Sequence, residues 1–587
     1  MTPQPHVLGV ARSVLGRAWR PRLADEAVAT ALAQRLSLPE PFARILAGRG
    51  VEAGGVPAYL APRLKDEMPS PLNVVDVRAA ASRLHQALET GERITIFADF
   101  DVDGATSGAI LMRYLRAAGG NVDFYVPDRL AEGYGPNIPA ITALKARGTQ
   151  LIVFVDCGTA AIAELRHAKG LGLTSLVVDH HQPGPELPPA SAVVNPMRDQ
   201  TSNRPLNVCS AGLAFILVAA LDRILADAGW FKDRARPDVL AFLDLVALGT
   251  VCDVMPLLGL NRAYVAQGLK VLGAAPNPGL RALAEVAGAK PPYTPYHLGF
   301  VLGPRINAGG RVGRSDLGLR LLTSDDPTEI KELALHLDVL NRERQAIEKT
   351  ALDEAMAMAI LAPKDAPLTF VARAGWHPGV VGIVAGRLKD AFFRPSLVGA
   401  IEGDVVKCSL RSIEGIDIGG VIARLKDEGL ALSGGGHAMA AGLSFSCAQM
   451  AAVEARMREL VTPLKAAAPD ARAYAVDAVM HPAGINMEFV DMIGRAAPFG
   501  QGNPEPVFVL ADVTVSSAAR VGTSHVSAEL SASGSRIRGI AFRAADNALG
   551  AALTTGARLH VAGRISANGW GGRAPRPEIL IEDAAMA

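Results

Sequence analysis

The stretch FADFDVDGATSG, residues 97–108, carries Asp99, Asp101 and Asp103 on alternate positions, directly after the apolar run RITIFA (93–98). The apolar run predicts a buried β-strand, and the helical spacing of apolar residues in SGAILMRYLRAAGG (107–120) predicts a helix behind it. Ionised carboxylates packed this closely repel one another. The stretch therefore predicts a charged site at a strand end, where something positive offsets the repulsion.

The same alternation of short apolar runs and helical stretches continues along the chain. It runs through VDFYVP (122–127), IPAITALKARG (138–148), LIVFVD (151–156), AAIAELRHAKGLG (160–172), SLVVDHH (175–181) and SAVVNP (191–196). A β-α-β-α order implies a parallel sheet with helices on its faces. Ligands of such sheets bind beyond the carboxyl ends of the strands, and the polar groups of this sequence lie at those ends. We therefore predict an α/β domain with its site at that edge.

Pattern changes along the rest of the chain predict further segments. Pro327 suits the first turn of a long helix and Pro363 ends its pattern. A second α/β unit follows, and the last part consists of short strands with turn signals, typical of a small closed barrel. The predicted segments are a helical N-terminal lead-in (1–90), the α/β domain (91–322), the connecting helix (323–362), a smaller α/β domain (363–465) and the barrel (466–587).

The composition is that of a globular protein with almost no net charge. The 587 residues are 49% apolar and 20% charged, and the formal net charge is +1. A polyanion would therefore have to be bound by locally grouped basic residues. The five cysteines show no paired spacing, which argues against a disulfide framework or a zinc ribbon and fits a reducing compartment. No secretory signal or membrane helix is visible, so we expect a soluble, cytoplasmic protein that does not bind membranes.

Further hard ligands follow other predicted elements. Asp156 ends one strand, the run Asp179, His180 and His181 ends another, and Asp253 follows a helix in GTVCDVMPL (249–257). Taken alone, each group also fits a simpler interpretation, such as a capping turn, a calcium-like loop or surface histidines. Together, several carboxylates with one or two imidazoles fit a pair of Mn²⁺ or Mg²⁺ ions that assist in-line displacement at phosphorus.

Ordered motifs identify a family. They are ADFDVDGATSGAIL, PDRLAEGYG, VDCG, VDHHQPG, VVNP, AGLAF, LVALGTVCDVMPL, GPRINAGGRVG, GWHPGVVGIVAGRL, SLRSI, GGGHAMAAG and PFGQGNPEP. In this order they resemble the DHH phosphoesterase superfamily, and within it the exonucleases specific for single-stranded DNA. The resemblance covers nearly the whole chain from about residue 70. It implies a DHH catalytic domain, a connecting helix, a smaller DHH-associated domain and an OB-fold, which agrees with the segments above.

The resemblance also implies roles at the metal centre. Asp101 and Asp103 would each ligate one cation, Asp156 would bridge the two, and His180 and Asp253 would complete the coordination of the second cation. Asp99 would be a further ligand. Asp179 would orient the ring of His180, and His181 would face the scissile phosphate as a hydrogen-bond donor or general acid, so that His181 and Asp156 are the predicted catalytic residues.

Residues that grip the substrate are implied in the same way. Arg129, Ser409, Arg411 and Ser412 would hold the phosphate of the 5′ end, since the fork of arginine pairs two oxygens at once. We interpret GPRINAGGRVGR (303–314) as a glycine-rich phosphate cradle with Arg305, Asn307, Arg311 and Arg314, the alternative being a surface turn. His377 and His437 complete the predicted DNA-binding set. On the barrel, residues 522–534 carry no lysine or arginine, which leaves Arg520, Arg536, Arg538 and Arg543 as local candidates.

The function implied is a metal-dependent 5′→3′ exonuclease that degrades single-stranded DNA to mononucleotides in DNA repair and recombination. The partners implied are single-stranded DNA, a single-strand-binding protein and a repair helicase, with the enzyme a monomer. Two alternatives are another DHH phosphoesterase acting on short oligoribonucleotides, cyclic dinucleotides or pyrophosphate, and a catalytically dead scaffold. Enzymes of the first kind are usually much shorter, and scaffolds lose ligands that this sequence retains.

Overall fold

The computed structural model describes residues 6–129, 131–198, 206–569 and 574–587. The chain forms two compact units. The sheet unit comprises residues 63–469 and 500–502, and the barrel unit comprises residues 1–62, 470–499 and 503–587. Within the described ranges, no helix combines the length and the apolar character needed to cross a membrane.

The N-terminal elements belong to the barrel unit. They are β1 (Ala18–Pro21), α1 (Glu26–Leu36), α2 (Glu40–Ala47) and α3 (Val56–Leu60). The sheet unit begins with α4 (Leu64–Glu67), α5 (Val77–Thr90), β2 (Arg93–Ala98), α6 (Val102–Ala117), β3 (Asn121–Tyr125), α7 (Ile138–Ala146), β4 (Leu151–Val155), α8 (Ile162–Gly170), β5 (Thr174–Val178) and β6 (Ala192–Val194).

The predicted parallel sheet is confirmed. Its strand order is β3-β2-β4-β5-β6, and every neighbouring pair is parallel. Register aligns Ala98 with Val155 and Val155 with Val178. The residues that follow β2, β4 and β5 therefore emerge side by side at one edge of the sheet. The strand residues are buried because α-helices cover both faces of such a sheet.

A helical region follows the sheet. It contains α9 (Ser210–Asp227), α10 (Leu243–Cys252), α11 (Gly259–Ala274), α12 (Pro278–Val286), a π-helical segment (His297–Leu302), α13 (Gly303–Val312), α14 (Leu317–Thr323) and the long α15 (Pro327–Ile360). Asp326 caps α15 by accepting a hydrogen bond from the amide of Thr328. A long connecting helix was predicted, and α15 is that helix.

The smaller α/β region completes the sheet unit. Its elements are β7 (Thr369–Ala374), α16 (Val381–Phe392), β8 (Ser396–Glu402), β9 (Val405–Arg411), α17 (Ile418–Asp427), β10 (Ser433–His437), β11 (Ala440–Ser446) and α18 (Met450–Ala467). The sheet order is β10-β11-β9-β8-β7, with β7 and β8 parallel and the other neighbours antiparallel.

The barrel unit is completed by β12 (Ala473–Val476), β13 (Ala478–Met480), α19 (Met487–Arg495), β14 (Phe508–Val521), β15 (His525–Ala532), β16 (Ser535–Ala541), α20 (Ala548–Ala552), β17 (Arg558–Asn568) and β18 (Arg576–Met586). Strands β14 to β18 pair in the order β14-β15-β16-β18-β17, and β14 also pairs with β17. The pairing closes the predicted barrel.

The first residues of the chain fold differently from the single lead-in (1–90) that the sequence predicts. Strand β1 pairs in parallel with β12, and Phe42 and Leu46 of α2 share an apolar core with Phe508 of the barrel. Helix α5 instead packs in the core of the sheet unit. The division falls after Pro62 because each helix buries its apolar face against a different core.

Candidate active site

The DFDVDG turn is shaped by its backbone. Asp101 caps α6, since its Oδ1 accepts hydrogen bonds from the amides of Asp103 at 2.8 Å and Gly104 at 3.1 Å. A Cβ at position 104 would lie 2.3 Å from the carbonyl oxygen of Asp99, so only glycine allows the turn to close. The turn holds Asp99, Asp101 and Asp103 at the carboxyl edge of the sheet.

The start of α9 holds the carboxylates of Asp103 and Asp156. Oδ2 of Asp103 accepts a hydrogen bond from the amide of Ser210 at 2.7 Å, and Oδ1 accepts one from the amide of Ala211 at 3.0 Å. The hydroxyl of Ser210 donates to Oδ1 of Asp156 at 3.1 Å. Asp156 follows β4 with a φ of +60°, a conformation that aspartate tolerates better than most residues. Ser210 is a residue that sequence reasoning missed, although it directly precedes the AGLAF motif.

His180 points into the centre of this carboxylate group. Its Nε2 lies 3.4 Å from Oδ1 of Asp156, 3.5 Å from Oδ2 of Asp253 and 3.9 Å from Oδ2 of Asp103. Nε2 of His180 and Oδ2 of Asp253 are buried and find no hydrogen-bond partner among the described residues, and the same holds for Oδ1 of Asp99. Buried polar atoms without a protein partner are commonly satisfied by water or by an ion.

Three groups of side chains have ligand atoms that lie within 4.8 Å of one another. They are Asp99 with Asp101 and Asp156, Asp103 with His180 and Asp253, and Asp156 with His180 and His181. Asp156 and His180 each belong to two of these groups. Of these two residues, Asp156 is the one suited to bridge two ions, because a carboxylate offers two ligand oxygens. Asp99 belongs to one of them, so the geometry allows it to be a direct ligand.

Electrostatics at the centre are unfavourable without cations. Burial, and then the charge of Asp103, raises the pKa of Asp156 well above its ordinary value. Burial, and then the charge of Asp101, does the same to the pKa of Asp99. Burial followed by the charge of Asp103 raises the pKa of Asp253 to about 9. Carboxylates and imidazole are ligands suited to Mn²⁺ and Mg²⁺, so the residues present fit a pair of such ions.

The prediction that Asp179 orients His180 is wrong. Oδ1 of Asp179 lies 2.7 Å from Nδ1 of His181, and its carboxylate also accepts hydrogen bonds from the amides of Thr159, His180 and His181. The amides that follow β5 turn the carboxylate of Asp179 towards the second histidine. Burial would lower the pKa of His181, but the hydrogen bond and charge of Asp179 offset it and raise the pKa to about 9.

Aromatic rings surround His181. The hydroxyl of Tyr134 donates to the carbonyl oxygen of Asp156 at 3.0 Å, and the ring of Tyr134 meets that of His181 edge-on at 5.6 Å. The ring of His437, from the smaller α/β region, is nearly parallel to that of His181 at 6.4 Å. His437 is thus brought to the centre as predicted. The sequence analysis did not single out Tyr134. The only sequence feature that pointed to it is its place in the motif PDRLAEGYG.

Three arginines from separate elements gather beside the carboxylates. Burial, and then the neighbouring charges of Arg129, Arg344 and Arg411, lower the pKa of Arg311 to about 10. Burial, and then Arg129, lowers the pKa of Arg411. Arg129 is itself close enough to Asp99 to interact with its charge, and it lies over the ring of Phe100 at 4.9 Å.

These guanidinium groups are held by neutral partners. Arg311 donates to the carbonyl oxygen of Gly379 at 2.9 Å, and Arg411 donates to that of Leu410 at 2.8 Å. Across the described part of the chain, Arg129, Arg311 and Arg411 take part in no ion pair. Mutually repelling cations without carboxylate partners form a site suited to an anion. Ser409 lies at the same place, since a Cβ at Gly382 would be 3.0 Å from its Oγ and 3.2 Å from Nη2 of Arg411.

The prediction that residues 303–314 form a glycine-rich loop is wrong. Residues Gly303–Val312 form α13, and Gly303 and Gly310 serve close packing. A Cβ at Gly303 would lie 2.3 Å from Sγ of Cys252, and one at Gly310 would lie 3.3 Å from the carbonyl oxygen of Phe100. Arg305 pairs with Asp338 at 3.0 Å and Arg314 with Asp316 at 2.7 Å, so of the four cradle residues Arg311 and Asn307 remain for substrate.

Two other predicted DNA-binding residues have structural partners. The buried hydroxyl of Ser412 donates to the carbonyl oxygen of Ile416 at 2.7 Å, which stabilises the turn after β9. Nδ1 of His377 accepts a hydrogen bond from the amide of Gly379 at 3.0 Å, in the loop before α16. His377 thereby shapes the loop whose carbonyl holds Arg311.

A parallel sheet with clustered aspartates and paired histidines at its carboxyl edge defines a DHH-type phosphoesterase centre. Matches to known families agree with this class. The DHH family, N-terminal domain, matches residues 93–250, the DHHA1 domain matches residues 365–462, and the RecJ OB domain matches residues 476–583. The order of these domains is the order found in the structure.

Full-length relatives narrow the class to one family. The single-stranded-DNA-specific exonuclease RecJ of Escherichia coli is 38% identical over 80% of this chain and 83% of its own length. RecJ of Bacillus subtilis is 33% identical over 97% of this chain and 71% of its own length. The crystal structure of Thermus thermophilus RecJ with Mn²⁺ superposes with a TM-score of 0.80 at 31% identity, covering 97% of this chain and 79% of that one. The chain belongs to the RecJ family.

Proposed function

We propose that this chain is a metal-dependent exonuclease that hydrolyses single-stranded DNA from the 5′ end and releases mononucleotides. The observation that carries the proposal is the adjacency of two sites. The carboxylate and histidine centre, where Nε2 of His180 lies 3.4 Å from Asp156, stands beside the anion site formed by Arg129, Arg311 and Arg411. One site suits a scissile phosphodiester and the other suits a neighbouring phosphate.

The ligand assignment follows from the groups described above. Asp101 and Asp103 would each hold one Mn²⁺ or Mg²⁺ ion, and Asp156 would contribute to holding both. His180 and Asp253 would join Asp103 in holding one of the ions. Their buried atoms without a hydrogen-bond partner, Nε2 of His180 and Oδ2 of Asp253, support this role. Asp99 would be a further ligand beside Asp101 and Asp156, as its buried Oδ1 supports. The relatives from Thermus thermophilus were crystallised with Mn²⁺ and with Mg²⁺, which supports this choice of ions.

Cations bound there supply Lewis acidity to phosphate oxygens and lower the pKa of a coordinated water. The chain's own residues position the substrate. Asp179 holds Nδ1 of His181, which leaves Nε2 of that ring to donate a hydrogen bond or a proton to the reacting phosphate. Tyr134 limits the freedom of the His181 ring through their edge-on contact. Donors fixed in this way stabilise charge that develops on phosphate oxygens.

The anion site explains why attack begins at one end. Arg129 and Arg411, with the hydroxyl of Ser409, capture the 5′-terminal phosphate, while Arg311 and Asn307 contact the next stretch of backbone. His437 approaches the same phosphate from the smaller α/β region. Because burial already lowers the pKa of each of these three arginines, a bound dianion restores favourable pairing.

The test uses single strands labelled at one end or the other. With Mn²⁺ present, 5′-labelled strands should release labelled mononucleotide first, and EDTA should stop the reaction. Arg411→Ala should remove the preference for a 5′-phosphate over a 5′-hydroxyl. Equal attack on blunt duplexes, or release of the 5′ label only at the end of digestion, would contradict the strand preference or the polarity.

The wider setting belongs to the same proposal. The enzyme acts as a cytoplasmic monomer in DNA repair and recombination, on strands prepared by a repair helicase and covered by a single-strand-binding protein. We propose the segments 91–322, 323–362, 363–465 and 466–587 as domains, and we replace the predicted lead-in 1–90 by residues 1–62, which support the barrel.

A further inference from the structure

Four aromatic rings, which we call the ladder, lie in the segment that leads into α13: Tyr293, Tyr296, His297 and Phe300. The rings of Tyr296 and Phe300 are nearly parallel, at an angle of 21° with centroids 5.4 Å apart. His297 meets Tyr293 edge-on at 5.7 Å and Tyr296 edge-on at 5.9 Å. Tyr296 is 63% exposed and Phe300 is 72% exposed, so the outer faces of this pair are in water.

The concentration of rings is unusual for this chain. Phenylalanine, tryptophan and tyrosine make up 5% of its residues, yet Tyr293, Tyr296 and Phe300 fall within the eight positions 293–300. Large apolar side chains at a solvent surface cost hydration free energy without gaining packing. Two parallel rings left open to water therefore point to a flat apolar ligand.

The ladder adjoins the metal centre. Sγ of Cys252, the last residue of α10, donates to the carbonyl oxygen of Leu298 at 3.5 Å. Gly303 brings the backbone so close to Cys252 that a Cβ would lie 2.3 Å from the sulfur. The residue after Cys252 is Asp253, one of the proposed metal ligands. The ladder is thus packed against the element that ends in the catalytic centre.

The ladder is also continuous with the helix that carries two of the phosphate-binding residues. Backbone dihedrals are helical at Tyr296, Leu302 and Gly303, so the π-helical segment and α13 form one continuous helix. Phe300 lies in the π-helical segment, and Asn307 and Arg311 follow it on α13. Asn307 and Arg311 are four residues apart, which places them on one face of α13.

The segment of chain that carries the ladder is free of acidic residues. From Val286 to Ser315 the sequence contains no aspartate or glutamate, and it contains Lys290, Arg305, Arg311 and Arg314. Arg305 and Arg314 are paired with Asp338 and Asp316, which leaves Lys290 and Arg311 as the charges that a ligand would meet. Flat apolar groups linked by a negative backbone are the chemistry of a single-stranded nucleic acid.

We infer that Tyr296 and Phe300 form a stacking platform for nucleobases of single-stranded DNA, on the path that leads along α13 to the metal centre. The inference rests on the proposed function and adds a second contact region, used by bases some way from the 5′-terminal nucleotide. Sequence-tolerant stacking is what an enzyme that degrades any single strand needs. A protein partner or an apolar surface are the other occupants that an experiment has to separate.

The experiment measures binding of fluorescent 5′-phosphorylated oligothymidylate to the full chain carrying Asp156→Asn, which prevents cleavage. Adding Phe300→Ala or Tyr296→Ala should weaken Kd by roughly 5- to 150-fold, the range for loss of one stacked base. Phe300→Leu should weaken binding similarly, since leucine is apolar but cannot stack. Phe300→Trp should keep the affinity of the parent protein, because its ring can stack. Leu361→Ala, which removes a side chain that is 86% exposed elsewhere, is the matched control and should change nothing.

Oligonucleotides with single abasic positions identify the contact. The abasic site that weakens binding to the parent protein should have no further effect on Phe300→Ala, because the missing base and the missing ring remove the same interaction. Unchanged Kd in all three ring variants would overturn the inference. Additive losses from the abasic site and the Phe300→Ala variant would overturn it as well.

Failure of the inference and failure of the proposed function are distinguishable. If the ring variants bind and degrade labelled strands as the unmodified chain does, the platform is wrong and the exonuclease assignment stands. If the unmodified chain does not cleave single-stranded DNA with Mn²⁺, the proposed function fails. Circular dichroism melting of each variant shows whether the fold is kept. Replacing an exposed ring should change the melting temperature little.

Discussion

Asp179 is the partner of His181, with Oδ1 lying 2.7 Å from the Nδ1 of that ring. His180 is left free to point its Nε2 at Asp156 and Asp253. The two adjacent histidines therefore have different tasks. One faces the cations and the other, held by a carboxylate, faces the substrate.

Asp179→Asn should lower kcat/KM by roughly 10- to 100-fold, as expected when the group that orients a functional histidine is lost. The effect should disappear in a His181→Ala background, because Asp179 then has no ring to hold. Initial rates on 5′-labelled single strands measure both. Independent, multiplying losses in the double variant would show that Asp179 acts on something other than His181.

Asp156→Asn should lower kcat by at least about 10²-fold while single-strand affinity is kept, since a charged ligand and the stabilisation it supports are removed. Asparagine accepts the φ of +60° at this position, so the fold should survive. Asp156→Ala should be equally inactive and should also melt at a lower temperature because alanine is strained there. Full cleavage by Asp156→Asn with Mn²⁺ would disprove the ligand assignment.

Mn²⁺ should stabilise the protein against heat. The carboxylates at the centre repel one another, so a cation that binds the folded state adds about 2.7 kcal/mol at a concentration of 100 Kd. Differential scanning fluorimetry with Mn²⁺ and with EDTA measures the shift. Asp253→Asn should reduce the shift, whereas Asp244→Asn should not, because Asp244 is a buried aspartate near the opposite end of the same helix. Equal shifts in both variants would contradict the assignment of Asp253.

Asp477→Ala should destabilise the barrel unit by about 3–5 kcal/mol, the cost of breaking a buried ion pair. Oδ1 of Asp477 pairs with Arg49 at 2.7 Å and with Arg22 at 3.2 Å, and both come from the N-terminal residues. Asp512→Ala, which breaks a solvent-exposed pair with Arg558, should destabilise the unit much less, because water screens exposed charges. Urea unfolding followed by circular dichroism compares them, and similar losses would mean that Asp477 does not anchor the N-terminal residues.

The arginines of the barrel should contribute little to DNA affinity. Arg536 pairs with Glu529 at 3.4 Å and Arg538 with Glu578 at 3.2 Å, so their charges are already compensated. Replacing both by alanine should leave the salt dependence of single-strand binding unchanged. Arg411→Ala should instead lower the slope of log K against log salt concentration by about one, as expected for a lost phosphate contact. A lower slope for the barrel variant would show that these pairs open when DNA binds.

The sequence by itself determined the parallel sheet and most of the centre. Because successive strands of a β-α-β unit run in one direction, Asp99, Asp156 and Asp179 had to emerge at the same edge. The period of apolar residues determined the long helix α15 in the same local way. These features depend on neighbours in the chain, which a sequence displays directly.

Tertiary structure decided the features that depend on distant neighbours. Glycines at 303–310 predicted a loop, but they allow a helix to pack against Cys252 and Phe100. The carboxylate of Asp179 is held in part by the amide of Thr159, which follows another strand, and Arg305 is paired with Asp338 of α15. Residues 1–62 joined the barrel because their apolar faces found a core there. Side-chain partners follow from the free energy of the whole packing, and local periodicity carries no information about that packing.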